Sequence, residues 1–219
     1  MRYVWLLLML LPGLVFARQT TEILFEDTDP GEAPYLSRVL ILGDKVRLDY
    51  GQDAEDFTLY DRRAKKLYVV THSAERITEI PAGKARLKLP KDWRLAVEKQ
   101  AAGAEQHVRL KLNDKLCLEI RAVPGLLPQA SRLLGDLRRA LAANQSAAWQ
   151  MMPEDMRDPC SLWLDIVRAG IEYDFGLPLT LQYGDGRSRI YRSHVVREAP
   201  AGLFELPAKY QRFKLSTSP

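Results

Sequence analysis

Cysteine and histidine are scarce in this 219-residue chain, with two of the first and three of the second. The histidines, His72, His107 and His194, share no short metal-ligand spacing, so no local zinc or di-metal motif is written in the sequence. A Gly-x-Ser-x-Gly elbow is missing, and Ser73 beside His72 cannot form a base–nucleophile pair, because neighbouring strand residues point to opposite faces. No run of five or six like charges occurs, and the formal charge is only +4, which gives no footprint for nucleic acid. The Asp53, Glu55 and Asp56 cluster lacks the spacing of a calcium loop and reads as a solvated turn. No cofactor is implied, and no catalytic residue stands out.

What is present begins at the N-terminus. Arg2, the apolar run Val4 to Leu11, the breakers Pro12 and Gly13, and small residues at positions 15 and 17 have the form of a secretory signal. The expectation is a signal peptide over 1–17, cleaved after Ala17, and a single domain over 18–219 in the periplasm or beyond. The apolar stretch is shorter than the ~20 residues a membrane span needs, so no transmembrane segment is expected after cleavage. In an oxidising compartment the pair Cys117 and Cys160 predicts a disulfide; a reactive thiol at Cys160, early in a helix, is the alternative.

From Thr21 to Val123 apolar residues alternate with polar ones at period two, the signature of a sheet with one wet face. Leu36 to Leu42 and Lys45 to Tyr50 flank a Gly43-Asp44 turn, with Val46, Leu48 and Tyr50 inward and Arg47 and Asp49 on the wet face. Further strands are predicted at Asp56–Asp61, Lys66–Thr71, Arg76–Ile80, Trp93–Lys99, Val108–Leu112 and Leu116–Ile120, with a turn at Asn113-Asp114. The period then becomes helical. Leu127, Ala130, Leu133, Leu134, Leu137 and Leu141 form one stripe, with Arg132, Asp136, Arg138 and Arg139 away from it. Asp158-Pro159 starts a second helix, lined by Trp163, Ile166, Val167 and Gly170. A closing hairpin runs through Leu179 to Tyr183 and Arg187 to Arg197.

The fold class expected is α+β and mainly β: a strongly curved antiparallel sheet, an unclosed barrel, with two helices packed on its concave face. Aromatic and aliphatic side chains, Phe57, Tyr68, Trp93, Leu134, Leu137, Trp163 and Tyr183, are candidates to line an apolar pocket between sheet and helices, with a filled core as the plain alternative.

Several phrases carry a resemblance: Tyr-Leu-Ser-Arg-Val-Leu at 35–40, Arg-Leu-Asp at 47–49, Asp-Phe-Thr-Leu-Tyr-Asp-Arg at 56–62, Leu-Tyr-Val-Val at 67–70 and Leu-Phe-Glu-Leu-Pro-Ala-Lys-Tyr at 203–210. The chain resembles uncharacterised secreted bacterial families and, more distantly, is similar to the periplasmic lipoprotein carriers LolA and LolB. That resemblance implies an unclosed barrel with a helical lid and a cavity for an acyl chain; none of the carriers' own residues can be placed here. The expected function is a non-enzymatic periplasmic binding or carrier protein for a lipid or other apolar ligand. The alternatives are an envelope assembly factor working through a protein partner, and an unrecognised hydrolase.

Overall fold

A computed structural model describes residues 19–83, 85, 87 and 89–215. The expected signal peptide over 1–17 lies outside them.

Hairpin chemistry builds most of the sheet. Five strands follow β1 (Gln19–Thr28) as a meander: β2 (Tyr35–Leu42), β3 (Lys45–Asp49), β4 (Phe57–Asp61), β5 (Lys66–Thr71) and β6 (Arg76–Pro81). A second meander comprises β7 (Leu95–Ala102), β8 (Glu105–Leu112) and β9 (Lys115–Val123). Asn113 and Asp114 both take positive φ between β8 and β9, the conformation a tight two-residue hairpin turn requires. Helix α1 (Pro128–Met151) then interrupts, followed by α2 (Pro159–Ser161), which widens into a π-helical stretch, Leu162–Val167. Strands β10 (Leu177–Tyr183), β11 (Ser188–Glu198) and β12 (Gln211–Lys214) complete the chain.

All twelve strands form one sheet in the order β12-β6-β5-β4-β3-β2-β1-β11-β10-β9-β8-β7, and its two edges do not pair with each other. The sheet is therefore unclosed, with the helices on its concave face. Two details depart from the sequence reading. Strand β1, central here, gave no distinct signal, and β12 pairs parallel with β6, so the sheet is not wholly antiparallel. Among the described residues no helix is long and apolar enough to cross a membrane.

The period-two pattern sorts side chains between two faces, and over β2 to β6 both are covered. On the concave side Ile23, Phe25, Val39, Ile41, Val46 and Leu67 pack on Leu133, Leu134 and Leu137 of α1. Farther along, Val108, Leu110, Leu118 and Ile120 pack on Trp163 and Leu164 of the π-helical stretch. Gly170, at φ +80°, lets the following turn lie directly on α1; a Cβ there would sit 2.6 Å from the Gly135 carbonyl oxygen. The bridge between Cys117 and Cys160, with Cα atoms 5.3 Å apart, fastens the start of α2 to β9. Asp158 caps α2 by accepting from the Ser161 N–H at 3.0 Å.

On the outer face Leu40, Phe57, Leu59, Val70 and Ile77 are covered by Leu203 and Phe204 of the segment between β11 and β12. This strap corrects the expectation that Arg47 and Asp49 are solvated. Arg47 is 2% exposed and Asp49 5%. Asp49 accepts two bonds from Arg38, at 2.7 and 2.9 Å, and one from Arg47 at 2.7 Å. Arg47 also donates to the Leu203 and Asp53 carbonyls and lies over the Phe57 ring at 3.9 Å. Burial pushes the Asp49 carboxyl up, but Arg38, Arg47 and the Gly51 N–H outweigh it and hold it below the ordinary carboxylate value.

Asp49→Ala leaves two arginines buried without their shared anion, and unfolding free energy is expected to fall by about 3–5 kcal/mol in urea titrations. Since the folded carboxyl is depressed, its stabilisation is present above about pH 4 and fades as pH falls through the lower folded value. The wild-type advantage over Asp49→Ala should therefore shrink in acid; a difference that grows below that pH contradicts the assignment. Replacing both cysteines by serine is expected to cost about 2–5 kcal/mol, the loop of 43 residues corresponding to about 4 kcal/mol of chain entropy. A cost under about 1 kcal/mol would show that the helical segment holds its place without the bridge.

Candidate functional site

Among the hollows beside the helical layer, two stand out, one on each side of α1. The first arises from the link between β6 and β7. It leaves the sheet beside one edge and rejoins it at the other, passing over α1 so closely that a Cβ on Gly83 would lie 2.8 Å from the Ala143 methyl. Between this link, the turn after β4, α1 and the π-helical stretch lies a groove of about 730 Å³. Its floor is aliphatic: Ala82, Ala140, Ala142, Ile166, Val167, Ala169 and Ile171. The small side chains at 140 and 142 leave the volume that larger core residues would fill.

Around the groove stand Arg62, Lys65, Arg139 and Arg168, against Asp136 and Asp174. Asp136 forms an ion pair with Arg62 at 2.8 Å and accepts a hydrogen bond from Arg139 at 3.0 Å. Lys65 and Arg168 have no carboxylate partner among the described residues, so the rim is net positive. The arrangement pairs an apolar trough with cationic edges.

The second opening lies between α1 and the sheet. Two adjoining hollows of about 160 and 430 Å³ share Asp27, Tyr35 and Arg189. Their walls are a lattice of paired charges. Asp27 on β1 accepts from Arg189 on β11 at 2.6 and 2.9 Å and from the Ser37 hydroxyl at 2.5 Å. Arg138, on α1, bonds Glu172 at 3.0 Å and also Asp165. Burial pulls the Arg138 guanidinium down, but Glu172, Tyr183 and Asp165 outweigh it and hold it above its ordinary value. Burial pushes the Glu172 carboxyl up, with Arg138 opposing. Tyr173 and Tyr183 are raised by burial as well. Tyr35 is pushed up to about 12, by burial and by donating its hydroxyl to Asp29.

The seven residues expected to line one apolar pocket do not meet. Leu134 and Leu137 are core under α1, while Trp93, Trp163 and Tyr183 belong to the cluster under the π-helical stretch. Phe57 and Tyr68 lie in the outer-face cluster beneath the strap. Alternation decides this: Phe57 and Leu59 share a face that Thr58 and Tyr60 do not. The groove is built instead from alanines, which carry little signal in a sequence. Of the histidines, His72 bonds the Tyr210 hydroxyl at 2.8 Å, His194 bonds that of Tyr191 at 2.6 Å, and His107 lies 3.7 Å from Glu105. Asp53, in the acidic cluster, is tied to Arg38 at 2.8 Å. Arg138, read as lying on the wet side of its helix, points into the polar cleft because the turn carrying Glu172 folds back over it.

No protein-family model and no curated protein matches the chain. Among solved structures the chain is similar to PNGF-II in two crystal forms, with 10% and 11% identity and TM-scores of 0.42. It covers 90% of this chain in both comparisons, but only 31% and 32% of PNGF-II, about a third of that protein's length. It is also similar to a LolA superfamily protein from Nitrosomonas europaea, at 9% identity and a TM-score of 0.32, over 86% of this chain and 90% of the other.

Proposed function

We propose that the protein is a non-enzymatic binding or carrier protein, working in the periplasm, that holds an acyl-chain ligand in the groove beside α1. One observation carries this reading: a trough of about 730 Å³ with an aliphatic floor and cationic edges. That volume lies within the range of ligand sites, and burying a methylene is worth about 0.8 kcal/mol. The rim then suits an amphiphile with its polar end in water. The disulfide agrees with an exported, oxidised protein.

A second reading, an envelope assembly partner, is favoured by the open sheet edges. All eight residues of β7 are exposed, Leu95 at 41% and Val97 at 45%, which is a template for strand addition by a protein partner.

Purified protein incubated with envelope lipid extract should retain lipid in native mass spectrometry. Val167→Glu, which places a charge on the groove floor, should reduce retention at least tenfold while the melting temperature holds. Absence of any bound lipid, or retention indifferent to that substitution, refutes the carrier reading. Crosslinking from β7 to a defined envelope protein would then favour the second.

A further inference from the structure

The polar cleft on the other side of α1 supports an inference that does not rest on the groove. It continues from the α1 side, at Arg138, Glu172 and Tyr173, out along the uncovered end of the concave face, at Ser37, Tyr50, Thr58 and Thr71. Its arginines are matched by carboxylates. Arg189 is paired with Asp27, Arg138 with Glu172 and Asp165, and Arg187 with Asp185 at 2.7 Å. Asp29 receives the Tyr35 hydroxyl at 3.0 Å, and Asp56 receives the His72 backbone N–H at 2.7 Å. An anionic ligand would face arginines whose carboxylate partners are already fixed, and would lose its hydration without gaining a free counter-charge.

What the walls still offer is neutral chemistry. A guanidinium has five N–H donors, and the bonds of Arg189 to Asp27 involve only Nε and Nη2. Hydroxyls of Ser37, Thr58, Thr71 and Ser188 add groups that both donate and accept. At the mouth, Tyr35 and Tyr50 stand edge to face with ring centroids 6.0 Å apart, and Tyr50 is 65% exposed. Such rings present a flat apolar face with a polar tip. A lipid chain would cover the spare guanidinium donors and the hydroxyls without giving them partners. A ring compound with an apolar C–H face and a girdle of hydroxyls satisfies both.

We propose that this cleft binds a neutral oligosaccharide, stacked on Tyr35 and Tyr50 and hydrogen-bonded to the Asp27–Arg189 pair and the hydroxyls around it.

The test is retention of the purified protein on an array of neutral, N-acetylated, uronic-acid and sulfated oligosaccharides, followed by calorimetry with the strongest neutral member. Neutral or N-acetylated glycans should be retained. Tyr50→Ala, whose ring stands largely in solvent, should raise Kd at least tenfold with the melting temperature unchanged. Val167→Glu, in the groove, should leave Kd as it is, so this result and the lipid result fail or succeed separately. Retention confined to the charged glycans, no retention of any member, or binding that survives Tyr35→Ala and Tyr50→Ala together, overturns the proposal.

Discussion

The architecture hangs on the pairing of β1 with β11. Without it the sheet would divide in two, β1 to β6 with β12 on one side and β7 to β11 on the other. Ten residue pairs join the two strands, from Gln19 opposite Glu198 to Thr28 opposite Ser188. Opposite charges meet across the two strands: Asp27 directly opposite Arg189, and Glu22 with Arg197 and Glu26 with Arg192 on the diagonals. Exposed pairs of this kind are each worth at most about 1 kcal/mol, so their main effect is on register. A slip of one residue would move these partners apart and turn Ile23 and Phe25 away from α1. The same pairing brings Asp27 and Arg189 into the polar cleft, so the seam that joins the halves also supplies the centre of that cleft.

A second constraint acts from outside. The strap carrying Leu203 and Phe204 converts what would be a wet sheet face into a buried one, and the Arg38–Asp49–Arg47 lattice is the consequence. Buried ions are costly, and apolar residues of similar shape would often serve stability as well. What the lattice adds is direction. Arg47 reaches the Leu203 carbonyl at 2.8 Å, which fixes where the strap lies. His72 and Tyr210 continue that attachment toward β12.

Much of the fold was legible because hairpins are local. Strand β5 falls on Lys66–Thr71 as read, the Gly43-Asp44 and Asn113-Asp114 turns are in place, and the stripe on α1 faces the core. The cysteines bridge, as expected of the pair, because β9 and α2 are adjacent in space. Features made by distant contacts were not legible. Periodicity separates two faces without saying that a strap 156 residues away covers one of them, so Arg47 looked solvated. Strand β12 forms only against β6, and its four exposed residues have no apolar pattern of their own. The expected pocket failed for a related reason. Large apolar residues attract attention in a sequence, but large residues fill space, and the hollow beside α1 exists where Ala140 and Ala142 decline to fill it.

The position of β1 along the chain also governs how the protein comes into being. The strand at the middle of the sheet is synthesised first, and its partner arrives some 160 residues later. Contacts of such long range make for slow closure. A nascent chain can pair β1 with β2 early, but the other edge of its central strand stays open until almost all of the polypeptide has been made. The incomplete form therefore outlasts most of synthesis, and the sheet is completed only once β11 has emerged to meet β1.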